Sequence, residues 1–455
     1  MSSFSFRQRR INIIGIIALV AIALTIGVSA SIYSTSFFFL AILTIIAAFL
    51  VILMITKTEN TMVFLVTLLL ISLFLIPGFS VAGIGVRLDD AIVICLAMLV
   101  IVMFIKESQN IQTPINKWII IYCIYVMSIT LINIILNNLS LIYMFYFIKE
   151  VQYFIYFFAF VYVMKNKWFR KKFKNILLFL ILLSMGWGFY QLLFDASVGY
   201  YGIGLVSVTA SSQTGGVYFL ISIFSLYLIN TEKTLRRRVF YFILFMSSSG
   251  LLFATISRTA ILAFVLTYVV YLFFMLFRMS VRRVLIWVYV TLMAAPLIYL
   301  VIKDYLPSIS ERLGRMDEGA NTRTAKWDYL LSFSSDIGAI FGEGRGFVQT
   351  ITGGLTLSAD SQYIRNILEL GYIGSALFLF IILSLLIFAF KNMKSFYGES
   401  LFLILSTCGF LIMSITHEVF LVTIQASFYW VLVGIFVGKI IHRKKDEEEI
   451  IDNNN

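Results

Sequence analysis

Fourteen stretches of this chain are apolar over a length that matches a bilayer, and little else about the sequence constrains its fold as strongly. A helix rises 1.5 Å per residue, so about 20 apolar residues are needed to cross about 30 Å of hydrocarbon. The runs lie approximately at 11–33, 36–56, 61–77, 88–105, 117–136, 141–164, 175–195, 214–230, 239–256, 258–277, 283–302, 370–390, 400–417 and 421–441. The expectation is an all-α integral membrane protein with about 14 transmembrane helices. The first run follows Arg7, Arg9 and Arg10, exceeds the apolar length of a cleavable signal and is read as a span.

Of the 455 residues, 61% are hydrophobic and 13% charged, against about 45–50% and about 25% in soluble domains. That balance excludes soluble, collagen-like and disulfide-scaffold classes. Cys95, Cys123 and Cys408 each sit inside an apolar run, with neither metal-ligand spacing nor a disulfide framework.

The net charge of +12 invites a nucleic-acid partner, but its distribution fits a bilayer better. With the N-terminus inside and fourteen alternating spans, all but ten of the 35 Lys/Arg fall on the cytoplasmic side, as the positive-inside rule requires. Both termini are then cytoplasmic, no nucleic acid is needed, and membrane lipids are the natural partners of the basic face. The organisation reads as helices 1–11 over residues 1–302, an extracytoplasmic loop with short helices at 303–369, helices 12–14 over 370–441, and a cytoplasmic tail at 442–455 whose His442 should be solvated.

The long connection must have structure or a job. Trp327, Leu330 and Leu331 stand at i, i+3, i+4 within 321–335, which predicts a short amphipathic helix against the bundle or the lipid surface. GEGRG, Gly342 to Gly346, marks tight turns and lacks the Lys-Ser/Thr of a phosphate loop. Seven of the ten remaining cations lie in this loop, among them Arg312, Arg323 and Arg345, facing nine acids. External cations do nothing for orientation, so they either pair with those acids or hold an anion, and phosphate suits forked guanidinium contacts.

Arg258 opens the tenth span in ATISRTAILAF, where Ser257 can cap the helix and the helix start favours an anion; snorkelling to headgroups is the alternative. Lys149 and Glu150 interrupt the sixth span about 12 Å along it, and being adjacent they should pair with other helices rather than each other. Arg87, Asp89 and Asp90 read as a helix-start cluster. His417, followed by Glu418, lies at the outer end of the thirteenth span as a base or an interfacial structural residue. Two histidines so far apart make no zinc site.

The order of these features resembles the O-antigen ligase and O-antigen polymerase superfamily. The motifs are Ser257-Arg258-Thr259-Ala260, Arg323-x-x-x-Trp327, the Gly342–Gly346 stretch, Asp360-Ser-Gln-Tyr-Ile, and Gly371 to Gly374 beyond it, covering roughly residues 250 to 375. The resemblance implies a metal- and cofactor-independent glycosyltransferase of GT-C-type architecture. It would act in the bacterial cytoplasmic membrane on undecaprenyl-pyrophosphate-linked glycans outside the cytoplasm. Ligases of the superfamily carry a histidine implicated in catalysis where this chain has Asp360, which favours the polymerase branch.

On that reading Arg258, Arg323 and Arg312 stabilise the departing pyrophosphate, and Asp360 is the base that deprotonates the acceptor hydroxyl, its competing role being to cap the helix beginning near Ser361. Lys149, Glu150, His417 and Arg345 are auxiliary candidates. Trp327 and Tyr363 can stack on sugars or simply pack. The partners are lipid-linked glycan donor and acceptor and a chain-length regulator. Ligase-type transfer, a lipid-linked oligosaccharide flippase and a non-catalytic envelope scaffold are the alternatives; concentration of polar residues in one outer loop favours the enzyme over the flippase.

Overall fold

A computed structural model describes residues 58–76, 79–81, 84–106, 113–136, 143–194, 203–205, 211–278, 288–289, 316–351, 359–421 and 423–454. The expected spans at 11–33 and 36–56 lie outside the described residues, as does 283–302 apart from 288 and 289. The other eleven apolar runs are all helices: α1 (Thr58–Leu75), α2 (Leu88–Lys106), α3 (Asn116–Leu136), α4 (Met144–Val163), α5 (Lys167–Phe194), α6 (Ser211–Thr231), α7 (Leu235–Ala254), α8 (Arg258–Leu276), α12 (Gln362–Asn392), α13 (Tyr397–Met413) and α14 (Thr423–Asn454). Between α8 and α12 the described residues include three shorter helices, α9 (Met316–Leu331), α10 (Asp336–Phe341) and α11 (Phe347–Ile351). A small antiparallel hairpin, β1 (Phe79–Val81) with β2 (Ile84–Val86), joins α1 to α2 and pairs Phe79 with Val86. Among the described residues, eight helices are long and apolar enough to cross a membrane.

Burial sorts the helices into a centre and a rim. In α6 and α14, 89% of the span residues are buried, against 33% in α5, α8 and α12. A helix buried on every side belongs inside a bundle, while one apolar on its exposed face belongs against lipid. On α12 the exposed face carries Leu379, Phe380, Leu383, Ile387 and Phe390. The central helix α14 lies along α4, and small residues set their separation: a Cβ on Gly434 would stand 2.6 Å from the Phe157 carbonyl oxygen, and one on Gly438 2.8 Å from that of Val161. Close backbone approach through glycines four apart is a recurring solution between membrane helices. Where α1 meets α2, Arg87 joins the two helices, donating from Nε to Asp89 at 2.8 Å and from Nη2 to the Ile76 carbonyl at 3.3 Å.

Several boundaries differ from the sequence reading. α5 begins at Lys167, so Arg170, Lys171 and Lys172 are helical rather than looped. α14 continues to Asn454 through the expected tail, and His442 is buried with Nε2 3.2 Å from the Val161 carbonyl oxygen, not solvated. α12 begins at Gln362, as the helix expected near Ser361 does, and runs on into the span expected from 370, bending at Gly371, whose φ of 64° is non-helical. α9 occupies 316–331 and packs inward: Leu330 is buried with Val348, Ala359 and Leu368.

Candidate functional site

Among the described residues, the candidates singled out above and their polar partners gather mostly at one end of the bundle, termed here the loop end because α9, α10 and α11 lie there. Its foundation is a buried ion network. The bend at Gly371 frees carbonyls of α12, and the glycine turn after α10 takes them up: Glu343 N–H donates to the Leu368 carbonyl at 3.0 Å and Gly344 N–H to that of Glu369 at 2.8 Å. Gly342, φ 90°, meets Gly371 backbone to backbone, since a Cβ on Gly371 would lie 2.3 Å from the Ile340 carbonyl oxygen. Only glycine tolerates both the positive φ and that approach.

This turn drives Arg345 into the bundle. Its guanidinium donates to both oxygens of Glu150 on α4, at 2.8 and 2.6 Å, to Glu369 on α12 at 2.9 Å and to the Tyr122 hydroxyl on α3 at 2.9 Å. The side chain is 1% exposed. Burial opposes its charge, but the Glu150 and Glu369 carboxylates outweigh that and Arg345 holds its proton more tightly than a solvated arginine. Glu369 also accepts from Arg365 Nε at 3.1 Å, and Arg365 reaches on to Glu418 and to Gln349. Three carboxylates and two guanidiniums thus tie α4, α11, α12, the glycine turn and the segment after α13 together.

Lys149, neighbour of Glu150, points elsewhere and pairs with Asp90 on α2. Since α4 starts at Met144, both ionisable groups lie within about 10 Å of its start.

Above this foundation lies a second, more accessible cluster. Glu418 accepts the Ala359 N–H at 2.7 Å, which sets Asp360 beside His417. Asp360 has φ 53°, and its carboxylate, 38% exposed, accepts from Lys326 Nζ of α9 at 2.8 Å. Trp327 fixes the same junction, donating from Nε1 to the Ala359 carbonyl at 2.8 Å. Tyr363 donates to the Leu411 carbonyl at 2.9 Å. Helix α12 is capped by Ser361, whose hydroxyl accepts the Ile364 N–H, so capping is not the task of Asp360.

Burial lowers the pKa of His417 below its ordinary 6.5, with Glu418 and Asp360 opposing the shift and Arg323 adding to it. The ring is therefore neutral at pH 7, and its Nε2 is sealed from solvent with no partner among the described residues.

The start of α8 joins this cluster through Thr259, whose hydroxyl is 2.5 Å from that of Thr416. Arg258 is exposed at the first position of α8. Ser257 holds the N-cap position without the expected side-chain bond; its side chain instead packs against Gly215 at the start of α6. The residue before it, Ile256, has φ 55°. A β-branched residue in that region is costly. Among the described residues, the two non-glycines with positive φ are thus Ile256 and Asp360, each within two positions of a candidate site residue.

Of the residues singled out in the sequence, Arg323 and Asp360 lie within electrostatic reach of His417 at the loop end, and Arg258 adjoins Thr259, which meets Thr416 next to His417. Arg345 and Glu150 form the buried network below them, Lys149 stands apart with Asp90, and Arg312 lies outside the described residues. Glu369, Gln349 and Tyr122 escaped the sequence reading, and Glu418 entered it only as the neighbour of His417. The i, i+4 spacing of Arg365 and Glu369 was the one local signal available for them. Among the described residues no group of three or more His, Cys, Asp or Glu side chains is placed to hold a metal ion. Compared with known proteins, the chain matches no family model and no curated sequence.

Proposed function

We propose that this chain is a polysaccharide polymerase of GT-C-type architecture that joins undecaprenyl-pyrophosphate-linked repeat units on the outer face of a bacterial cytoplasmic membrane. The observation that carries this reading is the division of the loop-end arginines. Arg345 and Arg365 are buried among carboxylates, whereas Arg258 is exposed at a helix start, Arg323 is half-buried within electrostatic reach of His417, and half-buried Lys326 holds the partly exposed carboxylate of Asp360. Helix N–H groups, guanidinium and ammonium together suit a diphosphate that gains charge as it leaves.

In the proposed step the acceptor hydroxyl oxygen attacks the anomeric carbon of the donor sugar. The bond from that carbon to the pyrophosphate oxygen breaks, and its electron pair leaves with the pyrophosphate. Arg258 and Arg323 take up that charge, with Arg312 as the third cation. The hydroxyl proton passes to Asp360, whose partly exposed carboxylate is steadied by Lys326. His417 stands enclosed and neutral within electrostatic reach of that carboxylate.

The test is to place the purified full chain in vesicles with a synthetic undecaprenyl-pyrophosphate-linked repeat unit and separate the products. A ladder rising by one repeat unit is expected. A single transfer to a different lipid acceptor would make the chain a ligase, and movement across the bilayer without a new glycosidic bond would make it a flippase.

A further inference from the structure

At the opposite end of the bundle, independently of the functional reading, a cleft of about 560 Å³ opens between the start of α5 and the second half of α14. Lys167, Arg170 and Lys171 line it from one face of α5 at i, i+3, i+4, and Lys439, Arg443 and Asp446 from one face of α14 at i, i+4, i+7. Five cations thus meet two carboxylates, Asp446 and Glu449. The floor is already neutralised: Glu399 accepts from Lys439 at 2.6 Å and lies 3.5 Å from Arg443.

Arg170 is different. Its side chain is 11% exposed, and Nη2 donates to Asp446 at 2.7 Å. Its Nη1 is sealed from solvent and has no acceptor among the described residues. A buried guanidinium nitrogen without an acceptor is costly, and an oxyanion entering the cleft would relieve it. The surroundings suit headgroup level: Trp168, half exposed, precedes Arg170 by two residues, and Phe179, Leu182 and Leu183 expose an apolar face further along α5. Tryptophan and basic residues at the end of an apolar span mark the interface. We propose that this cleft binds the phosphodiester headgroup of an anionic phospholipid, its oxygens on the Lys171 and Arg443 side, with Arg170 turning Nη1 out of its sealed position to meet one of them.

The experiment is native mass spectrometry of the full chain in detergent, offered dioleoylphosphatidylglycerol and dioleoylphosphatidylcholine in equal amounts. The chain should retain the anionic lipid in preference. Arg170→Gln should lower its retention by about fivefold or more. Arg443→Gln, which leaves the bond from Arg170 to Asp446 in place, should lower it in the same direction. Arg237→Gln makes the same charge change on an exposed side chain of α7 and should leave it unaltered. Equal retention of both lipids, or an equal drop with Arg237→Gln, would overturn the proposal. Displacement of the anionic lipid by millimolar inorganic phosphate would overturn the lipid assignment in favour of a free anion.

Discussion

Burial separates the arginines of the loop end by task. Arg345 is enclosed and fully matched, so Arg345→Ala leaves Glu150 and Glu369 uncompensated and should cost about 3–5 kcal/mol. Arg345→Lys should also destabilise, because an ammonium cannot copy a fork that meets Glu150, Glu369 and Tyr122 at once. Thermal unfolding in detergent checks both. Exposed Arg258→Ala should shift stability by no more than about 0.5 kcal/mol. His417 gives the pH test. Its folded pKa lies below the unfolded 6.5, so its neutral form stabilises the fold above that value. The contribution is lost as pH falls from 6.5 toward the folded pKa. The midpoint of unfolding should therefore drop between pH 7 and pH 5, and His417→Gln should flatten the drop. An identical slope in the variant would remove His417 from that role. Arg258 was readable in the sequence because a helix start is a local signal. The partners of Arg345 were not, since Glu150 stands 195 positions away and no periodicity links the two.

Elements are joined here by glycines. Gly371→Ala forces a Cβ against the Ile340 carbonyl at a positive φ, and should cost well over about 1 kcal/mol. Because that junction aims Arg345 at Glu150, the variant should also behave in unfolding like a weakened Arg345 mutant, with little additivity between them. Gly438→Leu should separate α14 from α4, and loss of the folded monomer on size-exclusion after mild heating would report it. The apolar run of α12 was legible from 370 onward because lipid-facing side chains are uniformly apolar. A helix starting near Ser361 was legible too, but not that its polar turns, with Gln362, Arg365, Asn366 and Glu369, continue into the span, since their burial depends on the ion network. The GEGRG turn was likewise visible as glycines, while the carbonyls that it binds were set by a bend that the sequence does not announce.

Across the whole molecule, span positions were legible because the bilayer acts on consecutive residues, whereas centre and rim depend on contacts between distant segments. Nothing in the run at 421–441 alone distinguishes a central helix from a peripheral one. The proposed orientation puts α9 outside and the start of α7 in the cytoplasm. In a chain with Cys95, Cys123 and Cys408 replaced by alanine, an impermeant maleimide should label Asp328→Cys in intact cells and Lys233→Cys only after permeabilisation. The reverse pattern would invert the topology and with it the proposed site. The central claim is that loop-end cations hold a leaving pyrophosphate while its glycan moves to a new hydroxyl. The most direct measurement is the single-turnover rate of glycosidic bond formation from a lipid-pyrophosphate donor, wild type against Arg258→Ala, normalised to folded protein. A loss of about 100-fold or more with an unchanged unfolding midpoint is expected. A variant rate within twofold of wild type would contradict the account.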